Sequence, residues 1–332
     1  MSGTPILRLE NVTKNFAIQS SGLWQAEQHL RAVNDVSLDV HAGETVGVVG
    51  ESGCGKTTLG RTILRLTDPS AGRILFDGRD ITQLSRAEAK TMRQDIQIIF
   101  QDPYSSLNPR MKVRDIIAEP LENFVSDRTE IAARVREVME IVKLPVDYAD
   151  RYPHEFSGGQ RQRIGIARAI AIRPRLIVCD EAVSALDVSV QAQILNLLKA
   201  IQQQTGVALL FISHNLGVVR FLSHRVAVMY LGRVVELAPE QALFETPRHP
   251  YTAALLRAIP EADYERRGTR SHLTGDIPSP INPPPGCPFH QRCPKAQDRC
   301  RTDEPALVEL EPDHWCACHF PNTENEWIRD AV

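Results

Sequence analysis

Apolar residues along this chain follow two periods, and the alternation between them outlines the fold. Six short runs rich in aliphatic and β-branched residues read as strands: LRLENV (7–12), TVGVV (45–49), RILFDG (73–78), LIVCD (176–180), VALLFIS (207–213) and RVAVMYL (225–231). TVGVV and LIVC carry almost no polar position, as expected of strands covered on both faces of a parallel sheet. Residues 110–156 change to helical spacing, with Ile131, Val135, Val138 and Val142 on one face. A helix is expected after residues 157–161, with Ile164, Ala167 and Ile170 inward and Pro174 as its stop. Another is expected over 188–204, where Asp187 suits the N-cap and Val190, Ile194, Leu197 and Ile201 form a core-facing stripe. The polar stretch 19–31 reads as an insertion. The whole is the pattern of an α/β protein.

Chemistry sits where these strands end. Residues 50–57, GESGCGKT, follow one strand and open a helix: Gly50, four residues, then Gly55, Lys56 and Thr57 make a phosphate-binding loop. The glycines let successive N–H groups face phosphate oxygens, Lys56 reaches the β- and γ-phosphates, and the Thr57 hydroxyl suits Mg²⁺. The run at 176–179 ends in Asp180 and Glu181. A carboxylate at that edge is costly to desolvate unless it meets a cation, so Asp180 is expected in the magnesium shell and Glu181 as the base on the attacking water. SGGQR at 157–161 places bare amides at a second helix N-terminus, another anion site. One nucleotide does not need two such loops from one chain, so the second is either a helix start or serves a nucleotide held by another subunit. His214 follows the run LLFIS and is expected to contact the γ-phosphate.

These motifs resemble, over about residues 5–240, the ATP-binding subunit of an ABC transporter. The resemblance implies an α/β fold of the P-loop NTPase type, a RecA-like core with a β subdomain and a helical subdomain. Carried over residue by residue, it makes Gly50, Glu51, Ser52, Gly53, Cys54, Gly55, Lys56, Thr57 and Thr58 the Walker A loop and Gln101 the Q-loop, beside Thr57 and Asp180 at Mg²⁺. It makes Ser157, Gly158, Gly159 and Gln160 the signature, Asp180 the Walker B aspartate, Glu181 the catalytic carboxylate, and residues 184–187, ending in Asp187, the D-loop. His214 becomes the switch histidine and Phe16 the aromatic that stacks on adenine, with Trp24 its competitor. The family's arrangement answers the two-loop question with a head-to-tail dimer, ATP lying between one subunit's Walker A loop and the other's signature. Two positions depart from the family: Ala182 stands where proline is usual, and Asn215 where aspartate is common.

The wording FQDPYSSLNPRMKVRDIIAEP (100–120) resembles the oligopeptide/dipeptide/nickel branch, in which this segment meets the membrane permeases. The expected division is 1–250 for the nucleotide-binding domain, with its helical subdomain at about 102–160, and 251–332 for a C-terminal extension. The expected partners are two permease subunits, a second ABC ATPase (self or paralogue) and, indirectly, a periplasmic or extracellular solute-binding protein. The expected task is ATP hydrolysis that powers import of di- or oligopeptides, with nickel, glutathione, opines or sugars as the alternative cargo.

Composition narrows the setting. With 332 residues, 42% hydrophobic content and a net charge of −3, the chain can build a large core and is no general nucleic-acid binder. No run approaches the roughly 18 to 20 apolar residues of a membrane span, and MSGTPILRLE lacks the order of a signal peptide, so a peripheral place on the cytoplasmic side of the inner membrane is expected. After Tyr251 a proline-rich link holds Cys287, Cys293 and Cys300, with Cys316 and Cys318 further on. Clustered thiols in a reducing compartment point to metal more than to disulfides, and the spacing lacks the paired knuckles of common zinc sites. The same branch implies a four-iron four-sulfur cluster on Cys287, Cys293, Cys300 and Cys318, with Cys316 an extra thiol; a zinc site or a docking tail with reduced cysteines stays open. Cys54 and Cys179 read as small buried residues. The thiol tail is expected to stand apart from the ATP chemistry.

Overall fold

A computed structural model describes residues 3–18, 28–258 and 275–323. Twelve strands are described: β1 Leu7–Ile18, β2 Gln28–Val40, β3 Thr45–Val49, β4 Ala71–Phe76, β5 Arg79–Asp80, β6 Ile96–Ile99, β7 Leu176–Asp180, β8 Ala208–Ile212, β9 Arg225–Tyr230, β10 Arg233–Pro239, β11 Val308–Glu311 and β12 His314–Cys316. They form a four-stranded antiparallel sheet, β2-β1-β4-β5, and an eight-stranded sheet, β11-β12-β10-β9-β3-β8-β7-β6. In the larger sheet β9, β3, β8, β7 and β6 run parallel, so the ends of β3, β8 and β7 open side by side on one edge.

The two-residue period of these strands divides their side chains between two cores. Val46 and Val48, Val178, Leu210 and Ile212 pack toward the antiparallel sheet with Leu7, Val36 and Ile74. Val49, Ile177, Cys179, Leu209 and Phe211 pack toward the helices. Every residue of β3, β7 and β8 is buried, as an apolar run between two covered faces requires. The helical layer includes helices Val113–Glu122 and Arg128–Ile141, then Gly158–Ala171 and Val188–Thr205. Asp187 caps the last of these, accepting from the Val190 N–H at 3.0 Å, and Ile194, Leu197 and Ile201 are buried beneath it.

The polar stretch at 19–31 is only in part what its composition suggests. Residues 28–31 open β2, with Leu30 opposite Phe16, while 19–27, Trp24 among them, lie outside the described residues. Val36, Leu38 and Val40 alternate inward on β2, a signal that could have located this strand.

The C-terminal residues add to the main sheet. β12 pairs antiparallel with β10, Cys316 opposite Glu236 and Trp315 opposite Leu237. Glu236 is fully buried and accepts from the Arg248 N–H at 2.6 Å, the His249 N–H at 2.9 Å and His314 Nε2 at 2.7 Å. One carboxylate thereby joins β10, β12 and the entrance to helix Pro250–Arg257. Removing it strands three buried donors. Glu236→Ala should therefore cost about 3 kcal/mol or more of stability, the scale for breaking a buried charged pair, and Glu236→Gln clearly less. Calorimetric melting of the two variants checks this ordering, and equal melting temperatures would refute it.

Candidate ATP site

The loop after β3 is shaped by contacts that leave no room for side chains. Gly50 has φ 153°, and a Cβ there would lie 2.2 Å from the Met229 carbonyl oxygen; Gly55 has φ 105°, and its Cβ would lie 1.9 Å from the Ala32 carbonyl oxygen. Only glycine fits either position, and the backbone between them is left as a cradle with helix Lys56–Ile63 at its end. The Cys54 carbonyl accepts from the Gly232 N–H at 2.9 Å, fixing the loop to the β9–β10 turn. Lys56, only 5% exposed, donates from Nζ to the carbonyls of Gly50 at 2.8 Å and Glu51 at 2.9 Å. The residues present fit a nucleotide triphosphate.

Asp180 ends β7 two strands away, and the Thr57 hydroxyl donates to its Oδ1 at 2.9 Å. Burial raises the Asp180 carboxyl above its ordinary range, while the Thr57 hydrogen bond opposes that shift. A hydroxyl and a desolvated carboxylate side by side form a donor set suited to a hard divalent cation. Glu181 is next, at φ 48°, a left-handed conformation whose strain concentrates at functional positions. Its N–H donates to the Ile212 carbonyl at 2.9 Å, and its carboxylate is largely sheltered. Gln101 Nε2 donates to Glu181 Oε2 at 3.0 Å, and His214 Nδ1 lies 3.3 Å from Oε1. Four sequence motifs thus meet at one sheet edge. Asn215 acquires a reason as well: its side chain accepts from the N–H groups of Gly217 and Val218 and caps helix Leu216–Leu222.

The signature residues form a capping box at the start of helix Gly158–Ala171, with the Ser157 N–H donating to Gln160 Oε1 at 3.0 Å and the Gln160 N–H to Ser157 Oγ at 3.4 Å. A Cβ on Gly159 would strike Val190, so this turn lies close against the helix that follows the carboxylates. Among the described residues no hydrogen bond joins the signature to the phosphate loop of the same chain. Phe16 stands apart on β1, 38% exposed, with the Lys14 ammonium 4.9 Å from its ring centre.

In the tail, Cys287, Cys293, Cys300 and Cys318 line one small cavity together with Phe289 and Phe320. Cys316 is fully buried in β12, outside that lining. Burial pushes the Cys287 thiol up to about 11 and that of Cys318 to about 12. Among the described residues no three His, Cys, Asp or Glu side chains converge closely enough to hold a single metal ion. Cys54 and Cys179 are buried, Cys179 with its thiol at about 12 for the same reason. Two residues that composition did not single out, Tyr251 and Arg292, reach the phosphate loop: the Glu51 N–H donates to the Tyr251 hydroxyl at 3.0 Å, and Arg292 binds the Glu51 carboxylate. The tail is therefore in contact with the phosphate loop, a contact that its position in the chain does not signal.

Fold and site define an ATPase of the ABC class. Residues 33–184 match the ABC transporter family, and residues 235–300 the oligopeptide/dipeptide transporter C-terminal region. The chain is 54% identical over 318 residues to the "Probable peptide ABC transporter ATP-binding protein y4tS" of Sinorhizobium fredii, covering 95% of this chain and 89% of that protein. It is 50% identical over 325 residues to the oligopeptide transport ATP-binding protein AppF of Bacillus subtilis, covering 95% and 97%. Among solved structures, the dimeric post-hydrolysis state of the ATP-binding cassette MJ0796 bound to ADP and Pi superposes with a TM-score of 0.62 at 28% identity, over 70% of this chain and 98% of that one. This chain belongs to the ATP-hydrolysing subunits of ABC transporters, in the branch that carries the oligopeptide/dipeptide-type C-terminal region.

Glu181→Gln keeps the shape of the side chain and removes the carboxylate that is the candidate base. In the assembled transporter, turnover should fall by about 10²- to 10⁴-fold, the usual contribution of a positioned base, while MgATP still binds and a closed ATPase dimer accumulates. Steady-state phosphate release and gel filtration with MgATP check both effects.

Proposed function

We propose that the chain powers uptake of di- or oligopeptides by closing on MgATP as one half of an ATPase pair. The observation that carries this reading is the meeting of Lys56, Thr57, Asp180, Gln101, Glu181 and His214 beyond the ends of β3, β8, β7 and β6, in a chain whose C-terminal region matches the oligopeptide/dipeptide type. Bound MgATP supplies the scissile phosphoanhydride bond. The loop N–H groups not already bonded within the protein, with Lys56, would hold the phosphates, and Thr57 and Asp180, with Gln101, would hold the cation. Glu181 takes the proton of the attacking water, and His214 positions the γ-phosphate. Gln101 and His214 both already contact Glu181, so movement of either is felt at the base.

The likeness to a dimeric ATP-binding cassette supports a head-to-tail pair, in which Ser157, Gly158, Gly159 and Gln160 serve a nucleotide bound by the other subunit. Phe16, on the exposed part of β1, is assigned to the adenine face. Residues 1–250 form the nucleotide-binding domain, about 102–160 its helical subdomain, and 251–332 the extension. A groove lined by Arg93, Phe100, Glu119, Pro120 and Phe124 offers a place for one membrane permease to dock on this chain, the second permease meeting the other ATPase and a solute-binding protein feeding both. A peripheral place on the cytoplasmic side belongs to the same reading; no helix among the described residues is long and apolar enough to cross a membrane.

For the tail we assign a four-iron four-sulfur cluster to Cys287, Cys293, Cys300 and Cys318. What supports this reading is that the four thiols line one small cavity. Such a cluster supplies a thiolate-bound redox centre and crosslink, and metal binding would expel the protons that burial holds on these thiols.

Two measurements test these readings. Transport of labelled peptides, nickel, glutathione and sugars by the reconstituted complex should show ATP-dependent uptake of peptides; uptake of another solute alone would replace the cargo. Ser157→Arg should leave nucleotide binding by the isolated chain intact and block ATP-driven pairing, whereas equal loss of monomer binding in Ser157→Arg and Lys56→Ala would refute the shared site.

A further inference from the structure

We propose that the C-terminal tail positions the phosphate loop, with Arg292 as the positioning residue that holds and neutralises Glu51. The proposal rests on the ATP-site reading of residues 50–58 and not on what the thiols hold.

An acidic side chain at the second position of an anion-binding loop opposes the loop's purpose. Glu51 is that residue, and its carboxylate faces away into the tail. Arg292 Nη1 donates to Glu51 Oε2 at 2.7 Å and Nη2 to Oε1 at 2.9 Å, a two-pronged pair across 241 positions of sequence. The guanidinium is 4% exposed and the carboxylate 21%, so water screens the pair weakly. The Glu51 hydrogen bond raises the Arg292 pKa further above its ordinary value, so the charge is permanent. Glu51 is held at two more points. Its N–H donates to the buried Tyr251 hydroxyl at 3.0 Å, and its carbonyl accepts from Lys56 Nζ at 2.9 Å. Its side chain, amide and carbonyl are thus all fixed, two of them by tail residues and the third by the lysine that the loop presents to phosphate.

The support behind Arg292 is rigid. Arg292 ends the single turn His290–Arg292 and directly precedes Cys293. Phe289, just before that turn, packs its ring 5.3 Å from Tyr230 and 5.4 Å from Tyr251, which are 4.7 Å from each other. This aromatic wedge fills the space between the thiol-lined cavity and the phosphate loop. Loss of Arg292 would leave an uncompensated carboxylate free to turn toward the nucleotide's phosphates.

The test uses the full chain, with MgATP binding followed by titration calorimetry and hydrolysis followed in the assembled transporter. Arg292→Ala should weaken MgATP binding by about tenfold and raise the KM for ATP while kcat stays within about twofold. Arg292→Lys, which keeps the charge and loses the fork, should fall between. Adding Glu51→Gln to Arg292→Ala should restore most of the affinity, a rescue that a merely structural contact would not show. Unchanged affinity in folded Arg292→Ala or Arg292→Lys, with Lys56→Ala unable to bind, would overturn the proposal and leave the ATP site standing. Equal weakening in the single and double variants would overturn it too. Binding that survives Lys56→Ala would remove the ATP-site reading and the proposal together.

Discussion

The phosphate loop works because two of its residues have no side chain to collide with the strands beside it. At Gly50 the obstacle is a carbonyl of β9, at Gly55 a carbonyl of β2, and these strands belong to different sheets. The loop is therefore pressed against both sheets at once, beside the core that they share. Its flanks are pressed against backbone, and of its amides that of Glu51 is taken by the Tyr251 hydroxyl and that of Cys54 by the Glu51 carbonyl. Any residue larger than glycine at either end would have to part the sheets or straighten the turn, and both would spoil the ordered amides an anion needs.

Around that loop the polar groups are already partnered. Lys56 rests on two carbonyls, Thr57 on Asp180, and both Gln101 and His214 on Glu181. On the proposed reading of this site, a nucleotide and its cation would exchange these hydrogen bonds for stronger, charge-assisted ones. Burial acts in the same direction at Asp180. A carboxylate held above its ordinary pKa by desolvation gains more from a cation than an exposed one does.

Much of this could be read from the sequence, and the reason lies in locality. The strand, loop and helix around Lys56, the carboxylates that close β7, and the Ser157–Gln160 cap are each set within a few residues, so their spacing carries their geometry. Asn215, without a reason in the sequence, needed only the helix behind it to become a cap. Features that depend on pairing distant segments were not legible. β2 hid its inward alternation of Val36, Leu38 and Val40 behind a polar beginning, and nothing in the composition of residues 308–316 signals strands that extend a sheet begun at residue 45. The Arg292–Glu51 pair is the extreme case, since an acidic residue in an anion-binding loop does not say which distant cation meets it, and only the fold brings the two together.

That pair also changes how the tail is understood as a piece of structure. Cys287, Phe289 and Cys300 are buried in the same cluster as Val49 and Tyr251, and β12 is hydrogen-bonded to β10 through the register that places Cys316 beside Glu236. A segment that shares both a core and a sheet with the ATP site cannot shift as an independent appendage, because close-packed interiors move between discrete arrangements and do not yield gradually. The aromatic wedge of Tyr230, Tyr251 and Phe289 has the thiol-lined cavity on one side and the phosphate loop on the other. A displacement of the cysteine loop must therefore be taken up either by these rings or by Glu51, and both choices bear on the backbone that faces the nucleotide.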